Sequence, residues 1–215
     1  MKHLIPITLA SLLLGANLAL AANPPIRKAA VLHHVEVKKL AYGFEKSPRF
    51  QAQVDGPRKS NPRLWLKIEA ELDLETTARN HFIPELTAIW RIVLHDMFED
   101  KSVQLVTPIT SLNINARDGR MQLVAYLHPD TVAMITGDDS PTDQLVKAAA
   151  VEVSGSNVSQ LGKQRAELWK SGGTSKGKRW WDTWQHKIMD RSILPLTETP
   201  FLPIWADHYP QVKPR

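Results

Sequence analysis

The sequence predicts a mainly β protein: an antiparallel, immunoglobulin-like β-sandwich with one or two short helices and an extended C-terminal tail rich in proline and tryptophan. Three observations predict it. Apolar and charged residues alternate with a period of two over several long segments, as on strands with one buried and one wet face. Turn residues separate these segments, with no long helical crossover between them, which favours two packed antiparallel sheets; a closed barrel of similar strand number is the alternative. From Ser156 onward the composition shifts to tryptophan, proline, glycine and basic residues.

Residues 1–21 read as a signal peptide. Lys2 and His3 precede an apolar run from Leu4 to Leu20, and Ala19-Leu20-Ala21 has the small-x-small pattern that signal peptidase accepts. The run is long enough for a marginal membrane span. However, no basic stop-transfer cluster follows, and Asn23-Pro24-Pro25 reads as an extended exit from a cleavage site. No cysteine stands there to carry a lipid anchor. The mature protein is expected to begin at Ala22 or Asn23. It should be exported to the periplasm, the outer surface or the medium, with no transmembrane segment left after cleavage.

Residues 22–155 are expected to form the sandwich. Val31, His33, Val35 and Val37 alternate with Leu32, His34, Glu36 and Lys38 in a first strand running to about Tyr42. Leu64, Leu66, Ile68, Ala70, Leu72 and Leu74 alternate with charged residues, Trp65 being the one bulky residue on the wet face. Leu86, Ala88, Trp90, Ile92 and Leu94 repeat the device. Ile89 and Val93 make that strand's second face partly apolar, so it should be central or covered on both sides. Val103-Leu105 and Leu112-Ile114 lead to Asp118-Gly119, and Met121, Leu123, Ala125 and Leu127 follow, a pattern that predicts a hairpin. Pro108 in the outgoing strand predicts an edge position or a bulge. Asp130 to Ile135 fits a helical turn or a strand continuation. Ser140-Pro141-Thr142-Asp143 resembles a helix start, and Ala149-Val151-Val153 resumes period two. The count is about six strands, all antiparallel.

Residues 156–215 are expected to hold a helical segment and a tail packed on the sandwich or on a partner. Val158, Leu161, Leu168 and Trp169 have helical spacing, with Gly172-Gly173 where a helix should stop. Prolines at 195, 200, 203, 210 and 214 should keep the tail extended and without regular pairing. Phe201, Leu202, Ile204, Trp205 and Tyr209 are too apolar for a disordered segment.

Composition narrows the function. Of 27 basic side chains one is Lys2 in the leader, so the mature part sets 26 against 22 acidic ones and carries a net charge of +4. This mild excess suits a soluble surface, or attraction to anionic glycans and headgroups; nucleic acid is a poor partner for an exported chain. With no cysteine, disulfides, thiol catalysis and thiolate metal sites are ruled out. No Gly-x-Ser-x-Gly elbow, phosphate-cradling glycine loop or His-Glu-x-x-His helix occurs. His33 and His34 are adjacent on a strand and so point to opposite faces. We therefore expect a protein that is not an enzyme and has no cofactor or metal. The seven tryptophans are the strongest lead, since aromatic rings fill cores, anchor interfaces and stack on sugars. The candidate binding surface comprises Lys176, Lys178, Arg179, Trp180, Trp181, Trp184 and Trp205. The candidate partners are a second copy of the chain or an envelope protein, with a mucin or envelope glycan as the alternative.

Several segments carry a resemblance: Val31 to Tyr42 with Phe44 and Ser47-Pro48, Trp65-Leu66-Lys67-Ile68-Glu69, Asp118-Gly119, Tyr126-Leu127-His128-Pro129 and Val151-Glu152-Val153. Their order resembles a group of exported Verrucomicrobia proteins of the Akkermansia type, over roughly Val31 to Val153. The resemblance implies an immunoglobulin-like sandwich and genes lying with type IV pilus-like and secretin-like genes. It implies an accessory or adhesive surface role and no catalytic residues. The apolar leader contains no acidic residue, unlike that of a prepilin, so the resemblance points to a partner of such machinery and not its shaft subunit.

Overall fold

The computed structural model describes residues 32–49, 62–76, 81–96, 101–138, 141–155, 166–171, 179–183 and 187–214. In chain order the strands are β1 (Leu32–Lys46), β2 (Leu64–Thr76), β3 (Phe82–Asp96), β4 (Lys101–Asn115), β5 (Arg120–Leu127), β6 (Val146–Gly155), β7 (Ala166–Ser171), β8 (Lys187–Asp190), β9 (Ile193–Pro195) and β10 (Gln211–Val212). Three short helices accompany them: α1 (Pro129–Thr136), α2 (Trp180–Thr183) and α3 (Leu202–Trp205). One sheet has the order β1-β2-β5-β9 and the other β10-β4-β3-β6-β7, with β8 also on β4. The two pack face to face as an immunoglobulin-like β-sandwich.

The period-two pattern builds the core as expected. Leu66, Ile68, Ala70, Leu72 and Leu74 of β2 and Leu86, Ala88, Trp90, Ile92 and Leu94 of β3 are all buried in one cluster. In β1 the inward residues change parity, from Val35 and Val37 to Leu40, Tyr42 and Phe44. The β1–β2 register slips between Val37 and Lys39. A one-residue bulge of this kind keeps the apolar side inward where strict alternation would have turned it to water. β3 lies between β4 and β6, and its outward Val93 is buried as well.

Four expectations are corrected. The described residues hold ten strands, not six, and β4 and β8 run parallel. Asp118-Gly119 does not close a hairpin, because β4 pairs with β3 while β5 pairs with β2. The turn instead carries the chain from one sheet to the other. Gly119 sits at φ 67° and its carbonyl accepts from the Leu74 N–H at 2.8 Å. Alternating strands flank either kind of turn, so the local pattern could not distinguish them. The third concerns residues 166–171, expected to be helical, which form β7 against β6. β6 would otherwise leave its edge groups unpaired, and that ladder overrides a weak helical preference; residues 156–165 of the expected helix lie outside the described residues. Finally, the tail does pair, through β8, β9 and β10.

Pro108 is explained by its place on the outer edge of β4. Val106 and Thr110 turn their carbonyls outward, accepting from the Arg191 and Lys213 N–H groups. Pro108 shares their parity, so its missing N–H falls outward too. β8 pairs with 103–106 and β10 with 111–112, and the proline stands in the gap between them. Asp130–Ile135 is helical, within α1. His128 caps α1, its Nδ1 accepting from the Asp130 N–H at 3.1 Å, and Gly137 ends it in the left-handed region at φ 72°. The expected helix start near Asp143 is a single 3₁₀ turn, Asp143–Leu145, without a side-chain cap; Ser140 lies outside the described residues.

Candidate interaction surface

The tail crosses between the sheets and straps the sandwich. After β8 on the β4 edge it passes to β9, which pairs with β5. It then runs over the outer face of β2 and β5 and returns as β10 on β4. Sequence alternation leaves Trp65, Val124 and Tyr126 on that outer face, where they would meet water. The tail covers them with Leu196, Phe201 and Tyr209, forming a second apolar cluster. Phe201 stacks on Tyr126 with centroids 4.7 Å apart and planes 10° off parallel. Its ring also meets Trp65 edge-on at 5.9 Å. Tyr209 donates its hydroxyl to Glu69 Oε1 at 2.8 Å, and His208 Nε2 lies 2.5 Å from Gln122 Oε1.

The opposite outer face has its own cover. Trp180 of α2 is buried against Val93, Ala148 and Ala150. Trp181 meets it edge-on at 5.2 Å and lies between two guanidinium groups, Arg91 at 5.1 Å and Arg179 at 5.9 Å from its ring centre. Arg91 in turn pairs with the buried Glu152 at 3.2 Å. The aromatic ring thus screens a largely desolvated ion pair from water.

The strap leaves the outer face of β1 uncovered. Registered rows run Gly43–Lys67–Tyr126 and Ala41–Glu69–Val124 across β1, β2 and β5. Over β1 lies an open groove of about 270 Å³, floored by Ala41 and Gly43 and flanked by Glu45, Lys67 and Glu69. The Lys67 ammonium at its flank already has partners. It pairs with Glu69 at 3.4 Å and sits over the Trp205 and Tyr209 rings at 5.6 and 5.9 Å. The Tyr126 hydroxyl is fully buried and has no hydrogen-bond partner among the described residues. Burial, then the negative charges of Glu45 and Glu69, push this phenol above its ordinary range. Tyr209 is raised too, by burial and by its hydrogen bond to Glu69.

The structure divides the residues that the sequence grouped. Arg179, Trp180 and Trp181 come together on the β3–β6 face, whereas Trp205 belongs to the strap on the β2–β5 face; the described members therefore do not form one patch. Lys176, Lys178 and Trp184 lie outside the described residues. Trp65, read as exposed on a wet face, is buried beneath the tail, because outward alternation says nothing of what lands on that face. Sequence reasoning passed over Gly43, Glu45 and Tyr126. Only Gly43 carried a signal, as a glycine within an otherwise good strand. Among the described residues, no three His, Asp or Glu side chains gather as a metal site, and no helix is long and apolar enough to cross a membrane.

Fold and surface together define a class: an immunoglobulin-like sandwich strapped on its outer faces by its own C-terminal tail. Residues 27–215 match a protein-family model, and the chain belongs to that family. A crystal structure of a protein from Akkermansia muciniphila superposes with a TM-score of 0.71 at 23% identity, covering 85% of this chain and 94% of that one. At that identity the likeness establishes the fold. No curated protein is significantly similar in sequence. The likeness to an Akkermansia protein thus holds for the fold, and the family match runs past Val153 to include the tail.

Proposed function

We propose that this is a non-enzymatic exported protein of the cell surface or periplasm, an accessory or adhesive partner of type IV pilus-like or secretin-type envelope machinery. The observation that carries this reading is the apolar surface left on the tail. Among the described residues four large hydrophobic side chains are exposed, and two belong to the tail: Ile188 at 60% and Ile204 at 54%. Ile204 adjoins the half-buried Trp205 on the strap. Single exposed apolar residues are ordinary, but on a segment already spread across the sandwich they provide anchors for a partner. A glycan platform is less well supported. The ring of Trp181 lies near two guanidinium groups and that of Trp205 under Lys67, so each is already engaged by a cation within the chain.

The test is affinity purification from native-host envelopes with wild type and an Ile188→Asp, Ile204→Asp variant, the bound proteins being identified by mass spectrometry. Pilus-like or secretin-type components should be enriched with wild type and lost with the variant, while both keep the same circular dichroism. A wild-type protein that stays monomeric by light scattering and enriches no such component would refute the reading.

A further inference from the structure

The strand β1 contains a glycine that the fold itself does not require. Gly43 stands within a fifteen-residue strand, where glycine is less stable than a β-branched residue. Its backbone is not among the positive-φ positions, and a Cβ added there would meet nothing within 4 Å. Neither backbone strain nor close packing among the described residues therefore explains it. A glycine on a strand also marks where another molecule approaches the backbone closely, and the groove over Ala41 and Gly43 has that form.

The groove has a chemical bias. Glu45 and Glu69 outweigh Lys67, leaving one net negative charge. Glu69 is already engaged by Lys67 and Tyr209. No ion pair or hydrogen bond of the Glu45 carboxylate is seen among the described residues. A saccharide would lack a platform here, because Lys67 stands between the groove and the Trp205 and Tyr209 rings.

We propose that the groove over Gly43 binds a basic side chain, a lysine or arginine of a partner protein, which lays its aliphatic stem over Ala41 and Gly43 and its cationic head against Glu45. The slim stem suits a floor of one methyl group and bare backbone, and the head meets a carboxylate with no ion pair or hydrogen bond among the described residues. The inference rests on the interaction reading above and specifies the chemistry of the partner's contact.

The test is a titration of the isotope-labelled full chain, followed by backbone amide shifts in NMR, with Nα-acetyl-lysine amide as the probe and Nα-acetyl-norleucine amide as its uncharged match. The lysine probe should shift the amides of Gly43 and Glu45, and the norleucine probe should not. Gly43→Val fills the groove and should abolish the shifts while leaving the melting temperature equal or higher. Glu45→Gln, a surface change, should weaken binding roughly tenfold. Equal response to both probes, or lysine binding that survives both variants, would overturn the proposal. Tighter binding of spermidine than of the lysine probe would make the ligand a free polyamine and remove the partner. Envelope capture that fails while lysine still binds at Gly43 would refute the proposed function without touching the groove; capture that succeeds without lysine binding would do the reverse.

Discussion

Replacing Phe201 with alanine should release the strap while leaving the sandwich folded. Phe201 is 1% exposed, stacked on Tyr126 and set edge-on to Trp65. Deleting a buried phenylalanine costs about 3–5 kcal/mol, and the aromatic pairing favours the upper half of that range. The ladders that also hold this segment are short: three residues of β9 and two of β10, with a net gain of about 1 kcal/mol for each hydrogen bond. A loss of about 4 kcal/mol therefore falls on a segment whose other anchors are Leu196 and Tyr209 in the same cluster and, at its two ends, Ile193 and Val212 on the main core. The main core lies on the other side of β2 and β5 and does not contain Phe201. Native-state hydrogen exchange should show residues 196–209 opening several hundredfold more often, at 1.4 kcal/mol per factor of ten. Protection of β2 and β3 should stay near wild type, and Phe201→Leu should restore much of the loss. Unchanged protection in the strap, or an equal loss in β2, β3 and the strap, would refute the claim that Phe201 fastens a separable element.

Three further outcomes are expected. Glu152→Gln should destabilise by about 3 kcal/mol in urea unfolding, because it leaves the Arg91 charge uncompensated beneath Trp181; adding Arg91→Met should recover most of the loss. Gly119→Ala should cost about 1 kcal/mol, since φ 67° is left-handed backbone that alanine resists. Tyr126 and Tyr209 have folded pKa values raised above the ordinary 10.0. The folded state therefore holds protons that the unfolded state gives up, and this stability, complete below about pH 10, is lost as pH rises further. Ultraviolet titration should show these two phenolates appearing together with unfolding, not before it.

The strands were legible because alternation is a local consequence of burial on one face. Leu66 to Leu74 and Leu86 to Leu94 could be assigned to a buried face without knowing what lay opposite, and the structure buries both rows. The partners of those strands were less legible. Asp118-Gly119 has the chemistry of a tight reversal, and a reversal does occur there. Whether the strands on either side pair with each other depends on β2 and β3, which offer longer ladders to β5 and β4 respectively. β7 was misread for a related reason: Leu168 and Trp169 fit a helical spacing locally, and only the open edge of β6 makes them a strand.

The tail shows where sequence reasoning lost the site. Its prolines correctly indicate that no long strand forms, yet three short ones do, each using a stretch of edge that β4 or β5 left open. Its aromatic residues indicate that something will be covered, but not what. Trp65 and Tyr126 look outward because they alternate with core residues, while Phe201 and Tyr209 look sticky because they stand among prolines. Neither group explains itself, and each supplies the apolar surface that the other needs. The contact between Tyr209 and Glu69 spans 140 residues, so no window of the sequence contains both halves. The same strap defines the groove by where it stops. It holds the Trp205 and Tyr209 rings beside the Lys67 ammonium, donates the Tyr209 hydroxyl to Glu69, and leaves Glu45 beside the open floor at Gly43. An acidic residue that looked like one more solvated charge in the sequence becomes, beside a segment placed far away in the chain, an acceptor without a hydrogen-bond or ion-pair partner among the described residues.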